Sequence, residues 1–232
     1  MLMEAELADL AQAYVDRHWP ANTRRIASSA TFTLDEDYCR RVAAYFEQAP
    51  RLAYATSLAR RYDRFKRENV QQYELVVDAG IAVRPWLAAG QPYRSSAELR
   101  ASVRKTGELY VYLTSSGHGP ELVDDFHPML EPSGIVVDGV ELSHNDVFRV
   151  VHDVFGHVMS GRGFSARGEF GAAFCHMGMY SEDVHAVLFT EQIAQICWFF
   201  YGPCAGERRY PPQKVFEFPA RYLTEFRNLF SH

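Results

Sequence analysis

A chain of 232 residues, 47% of them hydrophobic and 23% charged, has the composition of a globular domain with a real core, not of a disordered or fibrous protein. Its net charge of −5 gives no electrostatic case for nucleic acid or an acidic membrane as partner. The length predicts one integrated domain, read as an N-terminal helical region over 1–80 and a metal-binding catalytic region over 81–232.

In chain order, Leu7, Leu10, Ala11, Tyr14 and Val15 repeat at helical spacing and predict an amphipathic first helix. Thr33-Leu-Asp-Glu36 has the form of a capping box and predicts a helix to about Glu47. After Pro50 a long helical pattern runs through Leu58, Tyr62, Phe65, Val70, Tyr73 and Val76 and stops near Gly80. Its basic residues Arg60, Arg61, Arg64, Lys66 and Arg67 are broken by Asp63 and Glu68, as on a solvated face. Ser95-Ser-Ala-Glu98 is a second capping box, opening a short helix that ends at Gly107. Glu108 to Leu113 is rich in strand formers, and Ile135 to Leu142 reads as two strands around the turn Asp138-Gly139. The Gly- and Pro-rich segment between Gly117 and Gly134 is a candidate mouth or lid.

From Asn145, read as an N-cap, the chain returns to helix through Val147, Phe148, Val150, Val151, Val154 and Phe155. A break at Ser160-Gly-Arg-Gly163 precedes a helix from about Phe164 to Tyr180. A deeply apolar helix then runs from Ser181 to Tyr201, stopped by Gly202-Pro203, and a last helix lies near Arg221 to Phe230. The class is mainly α with a small antiparallel β element. The apolar stretch Val184 to Tyr201 contains Glu191, Gln192 and Gln195, which argues against a membrane span. No basic segment leads into an apolar one at Met1 to Leu7, and Cys39, Cys175, Cys197 and Cys204 lack Cys-x-x-Cys spacing. Reduced thiols and a cytoplasmic location are expected.

The chemistry concentrates at His152-Asp-Val-Phe-Gly-His157. Two imidazoles near the end of an apolar helix suit iron, zinc, copper or nickel. Arg149, His152, Asp153 and Gly156 share one helix face. His157 falls five residues after His152, about 140° further round an ideal helix, so both reach one ion only if the backbone turns there. The glycines at 156 and 161 make that turn expected. Glu191 is the candidate third ligand, because an ionised carboxylate among Leu188, Phe189, Ile193 and Trp198 is costly without a partner. Glu169 is the runner-up, with His176 seven residues on along the same face. Asp153 and His176 are candidates for holding or assisting the ligands. Arg149 or Arg167 is a candidate for a substrate carboxylate, and Trp198 for a pocket wall. His118, His127 and His144 fall in the loop and hairpin region, where exposure is expected.

The segment Asp146 to Val158 resembles the metal-binding stretch of the pterin-dependent aromatic amino acid hydroxylases, which carry His-Glu-Leu-Leu-Gly-His-Val in that role. The order that follows is also similar: a loop, a helix from about Phe164, and a helix ending in Trp198-Phe199. The resemblance, running from Asn145 to Gly202, implies a helical basket in which His152 and His157 hold a mononuclear Fe(II) that activates dioxygen for ring hydroxylation. The family's ligand glutamate, four residues after the tryptophan, falls here on Gly202, so Glu191 would replace it. Pterin is a second cofactor that the resemblance implies, with no matching motif in this chain.

The expectation is a mononuclear non-haem iron(II), dioxygen-dependent oxygenase or hydroxylase acting on a small molecule, an amino acid or an aromatic compound. The rivals are a dinuclear iron or manganese oxidase with Glu169 and His176 as extra ligands, and a zinc hydrolase with Glu169 or Asp153 as general base. A non-enzymatic helical binding protein with core histidines is the remaining reading. The N-terminal helices either cover the pocket or form a homodimer contact.

Overall fold

The periodic apolar segments fold as helices. In the computed structural model, which describes residues 4–20, 25–26, 30–117, 126–207 and 209–231, 59% of the chain is helix and 12% strand, so the class is mainly α. Helix α1 (Glu4–His18) buries Leu7, Ala11, Tyr14 and Val15, one stripe at steps of three and four. Strand β1 (Thr31–Phe32) precedes α2 (Glu36–Gln48). The cap of α2 is Asp35, whose carboxylate accepts from Tyr38 N at 2.9 Å, and not the expected Thr33. Thr33 directly follows the extended β1, so the short Asp35 side chain is the one that meets the first helical amides.

Helix α3 (Thr56–Asp78) ends at Gly80, whose φ of 81° suits a residue without Cβ. Three of its five basic residues are tied to other elements: Arg64 to Asp183 at 2.6 Å, Lys66 to Glu131 at 2.7 Å, and Arg61 to Glu217. Strand β2 (Ala82–Trp86), helix α4 (Ser96–Thr106) and strand β3 (Glu108–Tyr112) make a parallel unit in which Val83 pairs with Leu109. Ser95 caps α4 as expected, accepting from Glu98 N.

A short turn of helix, α5 (Thr114–Gly117), leads to residues 118–125, outside the described part; His118 and part of the candidate lid fall there. Strands β4 (Pro132–Val137) and β5 (Val140–Ser143) form the expected hairpin, with Asp138 and Gly139 at positive φ. The expected small antiparallel element is thus three two-stranded sheets among the described residues: β2·β3, β4·β5 and β1 with β6 (Phe230–Ser231). The first is parallel, and its strand β2 went unread because Pro85 lacks a ladder donor; a two-stranded ribbon leaves one side of the strand free to accept it.

Helix α6 (His144–His152) is capped by Ser143 and not by Asn145. Ser143 Oγ accepts from Asp146 N while the Asp146 carboxylate takes Ser143 N and Oγ, and also the amide and hydroxyl of Thr114. Asn145 donates to Thr114 Oγ1 at 2.9 Å. The chain continues as a π-helical turn, Asp153–Val158, then α7 (Ala166–Met177). The last apolar helix is α8 (His185–Leu188), a second π-helical turn Phe189–Ala194, and α9 (Gln195–Tyr201). Helix α10 (Ala220–Asn228) closes the chain before β6.

Helices α2 and α9 pack together, α3 lies on α6, and α7 lies on the first π-turn. The histidine segment is therefore held between α3, α4 and α7 inside one continuous apolar core. No helix among the described residues is long and apolar enough to cross a membrane.

Candidate metal centre

The geometry of the two histidines follows from the π-turn. In an α-helix the fifth residue on stands about 140° round. A π-turn bonds residue i+5 back to residue i, as Met159 N does to Val154 O at 2.8 Å. Residues five apart then stand nearly above one another, and the rings of His152 and His157 lie 4.8 Å apart between centroids. Gly156 is part of the same device: a Cβ there would fall 2.6 Å from His152 Cε1 and 2.7 Å from Nδ1, so only glycine leaves room for the ring.

The carboxylate that joins them is Glu169, from the first turn of α7. Its Oε2 lies 3.4 Å from His157 Nε2 and 3.7 Å from His152 Nε2. The three side chains offer ligand atoms within 4.8 Å of one another, the one such group among the described residues. Glu191, the carboxylate expected from the sequence, is not in it. The second π-turn directs Glu191 away, where it accepts from the buried Tyr62 hydroxyl and lies 3.5 Å from His127 Nε2. The Tyr62 hydroxyl gives the buried Glu191 carboxylate a hydrogen-bond partner. His127, expected to be exposed, is buried, its Nδ1 accepting from Met129 N. His144 is half-buried at the start of α6.

Hydrogen bonds orient the histidine rings. Gln72 Nε2 donates to Met179 O at 3.3 Å, which leaves Oε1 facing His176 Nε2 at 2.8 Å. A carbonyl oxygen only accepts, so His176 carries its proton on Nε2 and turns a bare Nδ1 to His152 Nδ1, 3.4 Å away. His152 Nε2 lies toward Glu169, 3.7 Å from its Oε2. His157 Nδ1 donates to Arg162 O at 3.2 Å, and its Nε2 is likewise left toward Glu169. His176 supports His152 and stands outside the three-residue group. Gln192 brings its amide to 2.8 Å from both ring nitrogens of His152, and its buried Oε1 has no partner among the described residues.

The electrostatics are those of a desolvated charge cluster. Burial lowers the pKa of His152 and, with the neighbouring imidazoles, takes His176 well below the usual value. Burial also opposes charge on His157, yet Glu169 and Asp153 outweigh it and raise that pKa. Burial would push Glu169 up, but the two imidazoles together pull it to about 2, so it stays ionised. Asp153 is raised to about 6, chiefly by burial.

Beside the histidines opens a cavity of about 320 Å³, lined by Tyr93, Tyr112, Arg149, His152, Asp153 and Phe164 among others. Arg149 donates to Tyr112 O at 2.6 Å and lies over the Tyr112 ring. Of the two arginines expected to meet substrate, Arg149 lines this space. Arg167 does not: it is exposed on α7, donates to Phe32 O at 3.0 Å and lies over the Phe32 ring. Trp198, expected as a pocket wall, is buried against α2 with Nε1 bonded to Glu47 at 2.5 Å. Gln72 and Gln192 were not singled out in the sequence. The signal for Gln72 is there, since Glu68, Asn69 and Gln72 interrupt the buried face of α3 that carries Phe65, Tyr73 and Val76.

Comparison with protein-family models, with curated proteins and with solved structures found no match.

Proposed function

We propose that the protein is a mononuclear non-haem iron(II), dioxygen-dependent oxygenase acting on a small molecule, with His152, His157 and Glu169 as ligands. The observation that carries this reading is the convergence of two imidazoles and one carboxylate beside a cavity. That donor set, with positions left open for dioxygen and substrate, is the pattern of non-haem iron(II) oxygenases. The residues fit an ion by their own chemistry: both Nε2 atoms lie within 3.7 Å of one carboxylate oxygen, and the Nδ1 proton of His157 is held by Arg162 O. Iron(II), when bound, supplies the electrons that activate dioxygen.

The chain's residues do the rest. Arg149 presents a guanidinium to an anionic substrate group. The aromatic walls exclude water, and His176, held by Gln72, fixes the His152 ring. The similarity of Asp146–Val158 to the stretch in the pterin-dependent hydroxylases supports the same reading, and with it a helical-basket fold of that kind in the cytoplasm. Pterin is not assigned a place. The dinuclear alternative loses ground because Glu169, its extra carboxylate, already stands between the two histidines.

Anaerobic titration with Fe(II), followed by oxygen uptake, tests the proposal. One ion per chain and iron-dependent uptake are expected. Glu169→Ala abolishes binding, while Glu191→Gln retains it. Absence of iron binding with both histidines intact, or turnover with Zn(II) in the absence of oxygen, would sink the reading; the second result selects a zinc hydrolase, which uses similar ligands.

A further inference from the structure

The cavity carries two opposite charges that do not meet. Arg149 and Asp153 sit four residues apart, and Asp153 N–H bonds to Arg149 O in the helical manner. Their Cβ atoms are therefore about 5–6 Å apart on one face, the spacing at which such residues ordinarily pair. Among the described residues no ion pair joins them, and neither meets another charged side chain within ion-pair distance. Arg149 is bonded only to Tyr112 O and lies over the Tyr112 ring. Asp153 takes no hydrogen bond there. Both line the cavity and are half-buried, so a ligand that fills the space takes them out of water and must supply polar partners. The rest of the wall is mostly aromatic, Tyr93, Tyr112, Phe164 and Tyr210, with Gln91, Pro92 and His152 between them. Tyr93 is pinned by Tyr110 N, which donates to its hydroxyl at 2.8 Å.

A ligand that completes this surface needs an anionic group for the guanidinium and a donor for the carboxylate. The aromatic part of the wall suits a flat ring that carries both. At about 320 Å³ the space lies at the small end of ligand cavities and fits one ring. We propose that the cavity binds a monocyclic aromatic carboxylate bearing a hydroxyl or amino group meta or para to the carboxylate. The carboxylate takes the Arg149 fork and the substituent donates to Asp153. This names the substrate class of the site described above and rests on that reading for its place in a reaction, though not for binding.

Calorimetric titration of chelator-stripped protein separates the two. The probes are 3- and 4-hydroxybenzoate, benzoate, phenol and tyrosine. At least one hydroxybenzoate is expected to bind about tenfold more tightly than each of the other three. Arg149→Met weakens hydroxybenzoate and benzoate alike, by about tenfold or more. Asp153→Ala removes the preference for hydroxybenzoate over benzoate and leaves benzoate unchanged. R149K, which keeps the charge and loses the fork, gives the same comparison should R149M unfold. The proposal is overturned if the unsubstituted chain binds neither hydroxybenzoate, if tyrosine binds more tightly, or if both Arg149 variants bind as the parent does. A chain that takes iron but no hydroxybenzoate overturns this proposal alone, and one that takes hydroxybenzoate but no iron overturns only the oxygenase reading.

Discussion

Gly156 decides whether His152 can face its partners, and it permits a clean test. A methyl group there would press on the His152 ring at 2.6 Å, yet alanine is the better helix former by about 1 kcal/mol. Gly156→Ala is expected to keep or raise Tm while metal affinity falls by roughly 10- to 100-fold, the scale of losing a ligand's orientation; titration with Fe(II) or Co(II) reads it. A loss of fold in place of affinity would assign Gly156 to packing. Glu68 offers a test away from the site. Burial raises its pKa against the hydrogen bonds from Ser181 N and Oγ. A carboxyl whose folded pKa exceeds its unfolded value stabilises the fold fully below the unfolded value, and that contribution is lost as pH rises through the folded one. Relative to the parent, Glu68→Gln should therefore gain in Tm as pH rises from about 4 toward 7; a difference independent of pH would show that Glu68 does not titrate in this way. Single residues also mark the limit of reading a sequence. Glu169 and Glu191 both look like lone carboxylates on apolar helices, and Glu191 looks the more buried. What separates them is the direction each π-turn and helix imposes, and hydrophobic periodicity carries no such information.

The helices were largely legible because each buries one stripe and stops at a glycine or proline. Their first residues were less so, since Asp35 and Ser143 cap where Thr33 and Asn145 were expected. Several Ser, Thr, Asp and Asn side chains compete near each start, and the preceding strand decides which one reaches the amides. The first π-turn was foreshadowed only as the turn that two histidines five apart would need, and the second, inside an expected continuous helix, not at all. A partner from far along the chain was not visible at all. Lys214, in an irregular Pro-rich tail, donates to Phe46 O, Glu47 O and Ala49 O at 2.7 to 2.8 Å. These carbonyls lie at the C-terminus of α2, Phe46 O also accepting from Ala49 N at 3.3 Å, and a cation there meets the negative end of the helix dipole. Lys214→Met keeps the stem and takes the ammonium from three acceptors, so a loss of about 1–3 kcal/mol is expected by denaturant unfolding. A change below about 0.5 kcal/mol, within the range of an ordinary surface substitution, would mean water replaces the ammonium without cost.

Taken as one molecule, the chain places its polar groups where its helices cross. Helix α3 supplies Tyr62 to Glu191, Glu68 to Ser181, Asn69 to Tyr180 and Gln72 to His176, all within a core otherwise built of Phe, Val and Leu. The general character of the site was readable from the histidine pair, whereas its third member and its support depend on α3 and α7 meeting α6, a matter of tertiary packing. That arrangement has a thermodynamic consequence. His152 and Glu169 come from separate helices joined by a Gly-containing loop, so an ion held by both binds the folded chain and not the unfolded one. Ligand at 100 times its Kd then adds about 2.7 kcal/mol of stability. For a chain of this size each kcal/mol is worth roughly 2–4 °C, so Tm should rise by about 5–10 °C. Differential scanning calorimetry under argon with Fe(II), and with Co(II) or Zn(II) as inert substitutes, should show the rise, and excess chelator should reverse it. His157→Ala and Glu169→Ala should melt at one temperature with or without metal, while Glu191→Gln, whatever its own Tm, should keep the shift. A parent chain whose Tm ignores all three ions would return the histidines to the core as ordinary packing residues. Loss of the shift in Glu191→Gln with its retention in Glu169→Ala would move the third ligand to the second π-turn.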